Sequence, residues 1–261
     1  MRHLREELRM DWNEYRRTRH QRTRPLVIAH RGVPGQAPEN TLESFALALK
    51  QGADVLETDL RITRDGAIVL FHDAHLGRMT DGDGPIFAHT LAELKRLKVR
   101  RPGGGWSAQQ VPTLMELLAM TQGHVPLLLE LKDWRFTEPL YARRLINILV
   151  DYGVLAKSAI VSFNAPLVSA IRQTGTEIPA GHITLTNPLP QAGMELLGPA
   201  WPLLFANPLY VAWAHRLGSL VAPLDPTPEA RLGYYLRLGV DALLADEPAR
   251  VLQALKRYGR G

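Results

Sequence analysis

The stretch "LVIAHRGVPGQAPENTLESFALALKQGADVLETDL", residues 26–60, contains a strand, a helix and a second strand in immediate succession. Short runs rich in β-branched residues or leucine occupy 26–30 and 54–60. The segment 40–50 between them has helical spacing and begins with a predicted capping pair, Asn40 with Glu43 three residues on. A unit of this kind predicts two parallel strands joined by a crossover helix.

The same alternation continues to the end of the chain. We predict eight strands, near 26–30, 54–60, 126–132, 158–163, 178–183, 202–206, 219–224 and 241–245. We predict helices near 40–50, 113–121, 138–152, 165–173, 208–217 and 227–238. The connection 187–200 is rich in Pro and Gly and has room only for a short helix. Eight strands in about 235 residues predict an α/β fold of the TIM (β/α)8 barrel type.

One segment departs from the alternation of strands and helices. "TRDG" at 63–66 is a tight-turn signal, and "AIVLFHD" at 67–73 follows it too closely for a crossover helix. The chain is therefore expected to turn back as a hairpin. We predict a small insertion after the second strand, over about 61–112, within a barrel that spans 25–261.

The composition is that of a globular protein, with 46% hydrophobic and 22% charged residues. The absence of cysteine excludes disulfides, thiolate catalysis and zinc held by sulfur, and it is consistent with a reducing compartment. The sequence has no apolar run of the length that a secretory signal or a membrane-spanning helix requires. These features predict a cytoplasmic protein.

The positive charge is concentrated in residues 1–24, where eight Arg stand against four acidic residues, so this segment holds +4 of the total of +5. Leu4, Leu8, Trp12 and Tyr15 have helical spacing there, which predicts a basic amphipathic extension. We favour a helix that packs on the barrel and closes its N-terminal end, and the alternative is transient contact with a membrane surface. The nearly neutral remainder argues against a nucleic-acid partner.

Acidic side chains recur at alternate positions of two predicted strands. Glu57 and Asp59 lie on one face of the second strand, and Glu130 and Lys132 lie on one face of the third. The C-terminal ends of barrel strands surround a single site, so these groups are expected to converge. Three carboxylates without cysteine suit a hard divalent cation, Mg²⁺ or Ca²⁺, which reduces their mutual repulsion.

The first strand and the hairpin supply further groups to the same end of the barrel. Arg31 and Lys132 suit an anionic substrate, because an Arg side chain matches the geometry of phosphate. His30 and His72 belong to the residue type that most often serves as general acid and general base in enzymes. Each residue alone has an ordinary structural explanation, but their convergence from separate strands predicts metal-assisted cleavage of a phosphoester.

Several longer motifs carry a family resemblance. "AHRG", "PENTLESF", "GADVLETDL", "TRDGAIVLFHD", "LLLELK", "VSFN" and "GVDALLADEP" occur in this order between Leu26 and Pro248, and together they resemble the glycerophosphodiester phosphodiesterase family. The resemblance implies a TIM barrel with an insertion after the second strand. It also implies divalent-metal-dependent hydrolysis of small glycerophosphodiesters to glycerol 3-phosphate and an alcohol.

The resemblance also implies roles for individual residues. It implies an acid/base pair at His30 and His72, phosphate contacts at Arg31 and Lys132, metal ligands at Glu57, Asp59 and Glu130, and a pocket-lining side chain at Phe163. These site residues are compatible with two routes. Water attacks the phosphate directly, or a cyclic phosphate forms first and water then opens it.

The predicted seventh strand departs from the family pattern. It reads "VAPLDP" at 221–226, where the family usually has a stretch like Trp-Thr-Val-Asn, so an aromatic wall and an amide are missing. This departure favours, as an alternative function, a barrel phospholipase that acts on lysophospholipids. A barrel that only binds a phosphate ligand is a further alternative, but the complete set of site residues argues against it.

Overall fold

Eight parallel strands form a barrel with helices outside it in the computed structural model, which describes residues 10–260. A ninth strand, β3, pairs antiparallel with β2 outside this ring. The strands are β1 Leu26–His30, β2 Val55–Ile62, β3 Ile68–Leu70, β4 Leu127–Leu131, β5 Ser158–Ser162, β6 Ala180–Thr184, β7 Leu196–Pro199, β8 Leu220–Val221 and β9 Ala242–Ala245. Their order is β8-β7-β6-β5-β4-β2-β1-β9. The predicted TIM-barrel class is confirmed.

The ring closes between β8 and β9 at the N-terminal ends of these strands. The Asp241 N–H donates to the Val221 carbonyl at 2.9 Å, and the Val221 N–H donates to the Asp241 carboxylate at 2.7 Å. A carboxylate thus replaces part of a regular strand ladder. Pro223 follows β8 and has no N–H, although the N–H groups of Ala222 and Leu224 still donate to carbonyls of β7.

Ten α-helices occur in the described part of the chain. They are α1 Trp12–Thr18, α2 Leu42–Lys50, α3 Leu91–Leu94, α4 Leu114–Thr121, α5 Pro139–Asp151, α6 Ala165–Arg172, α7 Trp201–Ala206, α8 Tyr210–Arg216, α9 Leu232–Leu238 and α10 Pro248–Arg257. All six predicted helices are present, although a 3-10 turn at Pro228–Arg231 precedes α9. α3 lies in the insertion, and α1, α7 and α10 also lie outside the six predicted ranges.

The predicted hairpin is confirmed between β2 and β3. Ile62 pairs with Ile68 in antiparallel register, and the Thr63 N–H donates to the Ala67 carbonyl at 2.9 Å. Gly66 has φ of +82°, a backbone conformation that favours glycine in such a turn. The hairpin directs the chain after β3 back toward the barrel mouth, at the C-terminal ends of the strands.

The predicted strand at 202–206 is wrong, because these residues form helix α7. Pro202 stands at the start of the helix, where its missing N–H costs no hydrogen bond, whereas a central strand would have needed that donor. The sixth barrel strand is β7 instead, which lies within the segment 187–200 that we expected to be a connection. The apolar run Leu203–Phe205 therefore indicates a partly buried helix.

α1 packs across the N-terminal end of the barrel, as favoured from the sequence. Trp12 and Tyr15 are almost fully buried in a cluster with interior side chains of the strands. The Trp12 Nε1–H donates to the Leu127 carbonyl at 3.1 Å, and the Tyr15 hydroxyl donates to the Asp241 carbonyl at 2.6 Å. Leu4 and Leu8, the other members of the predicted apolar face, lie outside the described residues.

None of the helices in the described part of the chain combines the length and the apolar character that crossing a bilayer requires.

Candidate active site

Three buried carboxylates converge inside the barrel mouth. Glu57 and Asp59 lie two positions apart on β2, and Glu130 lies on the neighbouring β4, where it pairs in register with Asp59. One oxygen of each lies within 4.8 Å of one oxygen of the other two, and all three side chains are nearly inaccessible. The alternation of strand side chains thus gives the convergence that the sequence predicts.

Two oxygens of this cluster accept no hydrogen bond of regular geometry. Asp59 Oδ1 and Glu130 Oε1 are buried, and neither accepts a hydrogen bond of acceptable geometry. The Lys132 Nζ lies 3.5 Å from the first and 2.5 Å from the second, so these contacts are ion pairs by proximity. Buried carboxylate oxygens without donors are costly, and a divalent cation is the partner that such an oxygen-only cluster fits.

Burial and mutual repulsion act on the pKa values of the three carboxyls. Burial raises the pKa of Glu57 well above its ordinary value, and the charges of Asp59 and Glu130 add to this effect. Burial and Asp59 likewise raise the pKa of Glu130 to about 7. For Asp59 the effect of burial is outweighed by Arg31 and Lys132, which lower its pKa. In the absence of a metal ion, protons therefore offset part of the negative charge.

The turn after β1 directs Arg31 into the acidic cluster. Arg31 has φ of +55°, and its N–H donates to the Glu57 carboxylate at 3.0 Å. Its side-chain Nε lies 3.0 Å from Asp59 Oδ2. Gly32 has φ of +89°, and a Cβ there would lie 2.2 Å from the Ser44 Oγ. Glycine is therefore required for the turn to pack on α2.

Asn40 has a different role from the one predicted. The cap of α2 is Thr41, whose hydroxyl accepts from the Ser44 N–H at 3.3 Å. Asn40 instead has φ of +57°, and its side chain donates to Asp59 Oδ2 at 2.9 Å and accepts from the Thr58 hydroxyl at 2.7 Å. The amide thus orients Asp59, and the predicted capping pair is wrong.

His30 forms a pair with an aspartate at the end of β9. Its Nδ1 lies 2.7 Å from Asp246 Oδ1, and His30 also lines the cavity in the barrel mouth together with Glu57 and Glu130. A carboxylate at Nδ1 favours the tautomer that carries a proton on this nitrogen. Nε2 is then left to exchange a proton with a ligand.

His72 forms a comparable pair in the segment that follows β3. Its Nδ1 lies 2.6 Å from Asp73 Oδ1, and Asp73 also contacts the Arg78 Nε. Glu39 connects Arg78 to Arg31, with nitrogen–oxygen distances of 2.6 and 3.4 Å. Burial lowers the pKa of His72, although Asp59 acts in the opposite direction. This network of charged side chains holds His72 and Arg31 relative to one another.

Backbone groups beside the site are held by Arg61. Its guanidinium donates to the His72 carbonyl at 2.9 and 2.7 Å and to the Lys132 carbonyl at 3.2 Å. Phe163, at the end of β5, is half-buried, and the Lys132 Nζ lies 5.2 Å from the centre of its ring. The structure therefore places Phe163 beside the predicted phosphate contact, as a wall next to a cation.

The structure thus brings the predicted site residues to one end of the barrel, and it adds partners that our sequence reasoning missed. These partners are Glu39, Asn40, Arg61, Asp73, Arg78 and Asp246. Asp246 had a usable signal, because it directly follows a predicted strand and strand ends surround the site. Asp73 had a weaker one, since it is adjacent to His72 in "HD".

Comparison with known proteins gives consistent matches over most of the chain. The model of the glycerophosphoryl diester phosphodiesterase family matches residues 30–250. A glycerophosphodiester phosphodiesterase of Caldanaerobacter subterraneus is 27% identical over 240 residues, which covers 90% of this chain and 99% of the relative. One from Bacillus subtilis is 28% identical over 264 residues, which covers 90% of this chain and 88% of the relative.

A solved structure shows the same architecture. It is that of an Oleispira antarctica phosphodiesterase in complex with the product sn-glycerol-3-phosphate, which superposes with a TM-score of 0.76 at 28% identity. The match covers 89% of this chain and 97% of the other. With the family model matched over 221 consecutive positions of the barrel, from residue 30 to 250, the chain belongs to the glycerophosphoryl diester phosphodiesterase family.

Proposed function

We propose that this protein hydrolyses glycerophosphodiesters to glycerol 3-phosphate and an alcohol in a reaction that requires a divalent cation. The observation that carries the proposal is the buried cluster of Glu57, Asp59 and Glu130 beside Arg31 and Lys132, in which two oxygens accept no hydrogen bond of regular geometry. Three carboxylates next to two cations form a site for a cation and an anion together. A phosphodiester with its metal ion is such a pair.

Glu57, Asp59 and Glu130 are the residues that would hold the metal. Their oxygen-only ligand set suits Mg²⁺ or Ca²⁺. A divalent cation held by these residues would offset the repulsion of the carboxylates and would supply Lewis-acid polarisation of a phosphoryl oxygen. Asn40 holds Asp59 in place through the hydrogen bond of 2.9 Å to its Oδ2.

Arg31 and Lys132 are the proposed phosphate contacts. Both side chains lie at the acidic cluster, and the charges of Asp59, Glu57 and Glu39 raise the pKa of Arg31 despite its burial. Arg31 therefore stays protonated at every physiological pH. Its guanidinium can donate two parallel hydrogen bonds to a phosphate.

His30 and His72 are the proposed acid/base pair. Asp246 and Asp73 contact the Nδ1 atoms, so each Nε2 is available to exchange a proton. One imidazole removes a proton from the attacking hydroxyl, and the other donates a proton to the leaving alcohol oxygen. Attack by water and attack by a neighbouring substrate hydroxyl both use this pair.

The comparisons support the proposal at the level of family and product. The curated relatives are named glycerophosphodiester phosphodiesterases, and sn-glycerol-3-phosphate is the product bound to the Oleispira antarctica enzyme. The cytoplasmic location, the barrel limits and the transient membrane contact predicted from the sequence stay predictions.

The test is turnover of glycerophosphocholine and glycerophosphoethanolamine by the purified protein. We expect release of glycerol 3-phosphate with Mg²⁺ or Ca²⁺, its loss in EDTA, and its recovery when excess metal is added back. Turnover that persists in EDTA would contradict the metal dependence. The absence of turnover with each of these metal ions would contradict the hydrolase assignment.

A further inference from the structure

A second cavity lies at the N-terminal end of the barrel, opposite the proposed active site. Its volume is about 310 Å³, and it is open to solvent. Four parts of the described chain line it: the segment from α1 to the start of β1, His215 on α8, the stretch 236–241 before β9, and Arg260 near the C-terminus. We call this cavity the basal cleft.

The basal cleft is rich in positive charge. Four arginines line it, namely Arg19, Arg22, Arg24 and Arg260. Asp241 is the one carboxylate that the described residues contribute to its lining. Arg24 is paired with Asp54, which accepts from its guanidinium at 2.6 and 2.9 Å. The other three guanidinium groups face a single carboxylate, so the cleft has an excess of two positive charges.

The carboxylate of Asp241 is engaged in closing the barrel. It accepts from the Val221 N–H at 2.7 Å and contacts His215 Nε2 at 2.9 Å. The Arg19 Nε lies 3.8 Å from Asp241 Oδ1, which is too far for a hydrogen bond. Among the described residues, the Arg19 side chain makes one hydrogen bond, from Nη1 to the Arg16 carbonyl at 3.2 Å. Arg19 therefore retains N–H groups for a further acceptor.

Arg22 and Arg260 also retain unused donors. The Arg22 guanidinium lies over the Tyr15 ring, 5.3 Å from its centre, and within residues 10–260 its side chain makes no hydrogen bond or ion pair. A guanidinium stacked on a ring keeps the N–H groups at its edge available. Arg260 donates from Nη1 to the Thr23 carbonyl at 3.0 Å, which leaves its other N–H groups.

A small anion fits this cleft better than a flat membrane surface does. The cleft is concave, and at Gly239, with φ of +73°, a Cβ would meet no atom within 4 Å, so the wall is open there. Exposed apolar side chains that could enter a bilayer, such as Leu185 and Trp201, follow strands at the mouth, which is the other end of the barrel. Guanidinium groups bind phosphate through paired N–H donors.

We propose that the basal cleft binds a small anion that carries a phosphate group, at a site separate from the proposed active site. The phosphate lies among Arg19, Arg22 and Arg260, which come from the two ends of the described chain. A bound dianion offsets the excess positive charge and links α1 to the C-terminal segment. It should also stabilise the folded protein, because unfolding separates the three arginines.

The first test is calorimetric titration of the full-length protein, loaded with Mg²⁺, with inorganic phosphate in a chloride buffer. The proposed active site also contains phosphate contacts, so K132M is titrated beside the wild type to separate the two sites. We expect K132M to retain a phosphate-binding event. Phosphate binding that K132M weakens and R22Q/R260Q leaves unchanged assigns the anion to the active site and overturns the inference.

Variants of the cleft locate the binding event. R22Q/R260Q should lower the phosphate affinity of K132M by about tenfold or more, because two charged donors are lost. R22K/R260K keeps both charges and should recover part of this affinity. R143Q is the matched control, since Arg143 is exposed on α5, and it should bind phosphate as well as its parent does. Equal affinities in R22Q/R260Q and R143Q overturn the location.

The last measurement distinguishes a free anion from a lipid head group. Vesicles of phosphatidylcholine with phosphatidylglycerol are sedimented with the wild type and with R22Q/R260Q, and the thermal midpoint of each protein is measured across a phosphate titration. We expect phosphate to raise the midpoint of the wild type more than that of R22Q/R260Q, and equal sedimentation of the two proteins. Sedimentation that requires Arg22 and Arg260, without stabilisation by free phosphate, makes the cleft a membrane contact and overturns the inference.

Discussion

Both ends of the barrel contain pairs in which a histidine or an arginine contacts an aspartate. The two ends differ in whether the buried carboxylate oxygens all accept hydrogen bonds. At the N-terminal end, Asp241 accepts hydrogen bonds from the Val221 N–H and from the His215 Nε2, and Asp54 accepts three from Arg24 and the Val27 N–H. At the mouth, a similar pair joins His30 and Asp246, but two buried oxygens of the nearby acidic cluster accept no hydrogen bond of regular geometry.

This difference separates stability from function. Buried polar atoms that all have partners contribute to folding, and those at the N-terminal end are completed by Trp12 and Tyr15 of α1. The mouth has carboxylate oxygens that accept no hydrogen bond of regular geometry, and Arg31 has a left-handed backbone conformation. Such features cost free energy and occur where a ligand completes the structure. Substitutions at the two ends should therefore act on different measured quantities.

The largest expected effect is that of removing either histidine at the mouth. H30A and H72A should each lower kcat/KM for glycerophosphocholine by about 10³-fold or more, because each removes a proton-transfer group. The thermal midpoint should change little. The matched control is H215A, which breaks the similar His–Asp pair at the N-terminal end; it should keep kcat and lower stability by about 1 kcal/mol. If H30A and H215A had equal kcat, the comparison of the two ends would be wrong.

The second effect concerns stability alone. W12A should lower the free energy of unfolding by about 3–5 kcal/mol, because a nearly fully buried indole is lost from beneath the barrel and leaves a cavity. Denaturant titration measures this change. W213A is the matched control, since Trp213 is 45% exposed, and its cost should be much smaller. For protein that remains folded, W12A should keep kcat within about twofold because the reacting groups lie at the other end; a large loss of kcat would show that α1 acts on the mouth.

The third effect tests whether Asp246 positions His30. D246N should lower kcat by about 10²-fold with little change in KM, because the amide no longer favours the tautomer that leaves Nε2 free. D246E is the conservative variant and should recover part of the lost rate. The pH profile of kcat distinguishes this role from simple packing, since loss of the carboxylate charge should shift the profile and loss of packing alone should not. An unchanged profile in D246N would reduce Asp246 to a structural residue.

The sequence was sufficient to predict the groups that strand periodicity determines. Glu57, Asp59 and Glu130 could be placed together because alternate residues of a strand share a face and strand ends meet at the mouth. His72 could be added because the hairpin signal at 63–66 requires the chain to turn back. These inferences depend on local geometry that every parallel barrel repeats.

The remaining features depend on contacts between distant segments. Asn40 has a capping sequence, yet its left-handed backbone directs the amide to Asp59, and only the packed turn determines this. The ion pair between Glu39 and Arg78 joins two loops. The periodicity of the sequence does not predict the relative position of these loops. The apolar run at 202–206 predicted a strand, because run length alone does not separate a short strand from a short helix.

The smallest expected effect is on the free energy of unfolding, and its sign differs between the mouth and the N-terminal end of the barrel. In the metal-free protein, E57Q should raise the free energy of unfolding by about 1 kcal/mol, because it removes one of three buried carboxylates whose repulsion and burial raise the pKa of Glu57. D54N should lower this free energy by about 1 kcal/mol, because it weakens the hydrogen bonds that Asp54 accepts from Arg24 and the Val27 N–H.

Addition of Mg²⁺ or Ca²⁺ should then stabilise D54N as much as the wild type but E57Q much less, since Glu57 is a proposed ligand. Thermal unfolding across a metal titration measures all of these changes. Equal metal stabilisation of E57Q and the wild type would remove Glu57 from the ligand set, whereas destabilisation of metal-free E57Q would show that its ionised carboxylate is needed for folding.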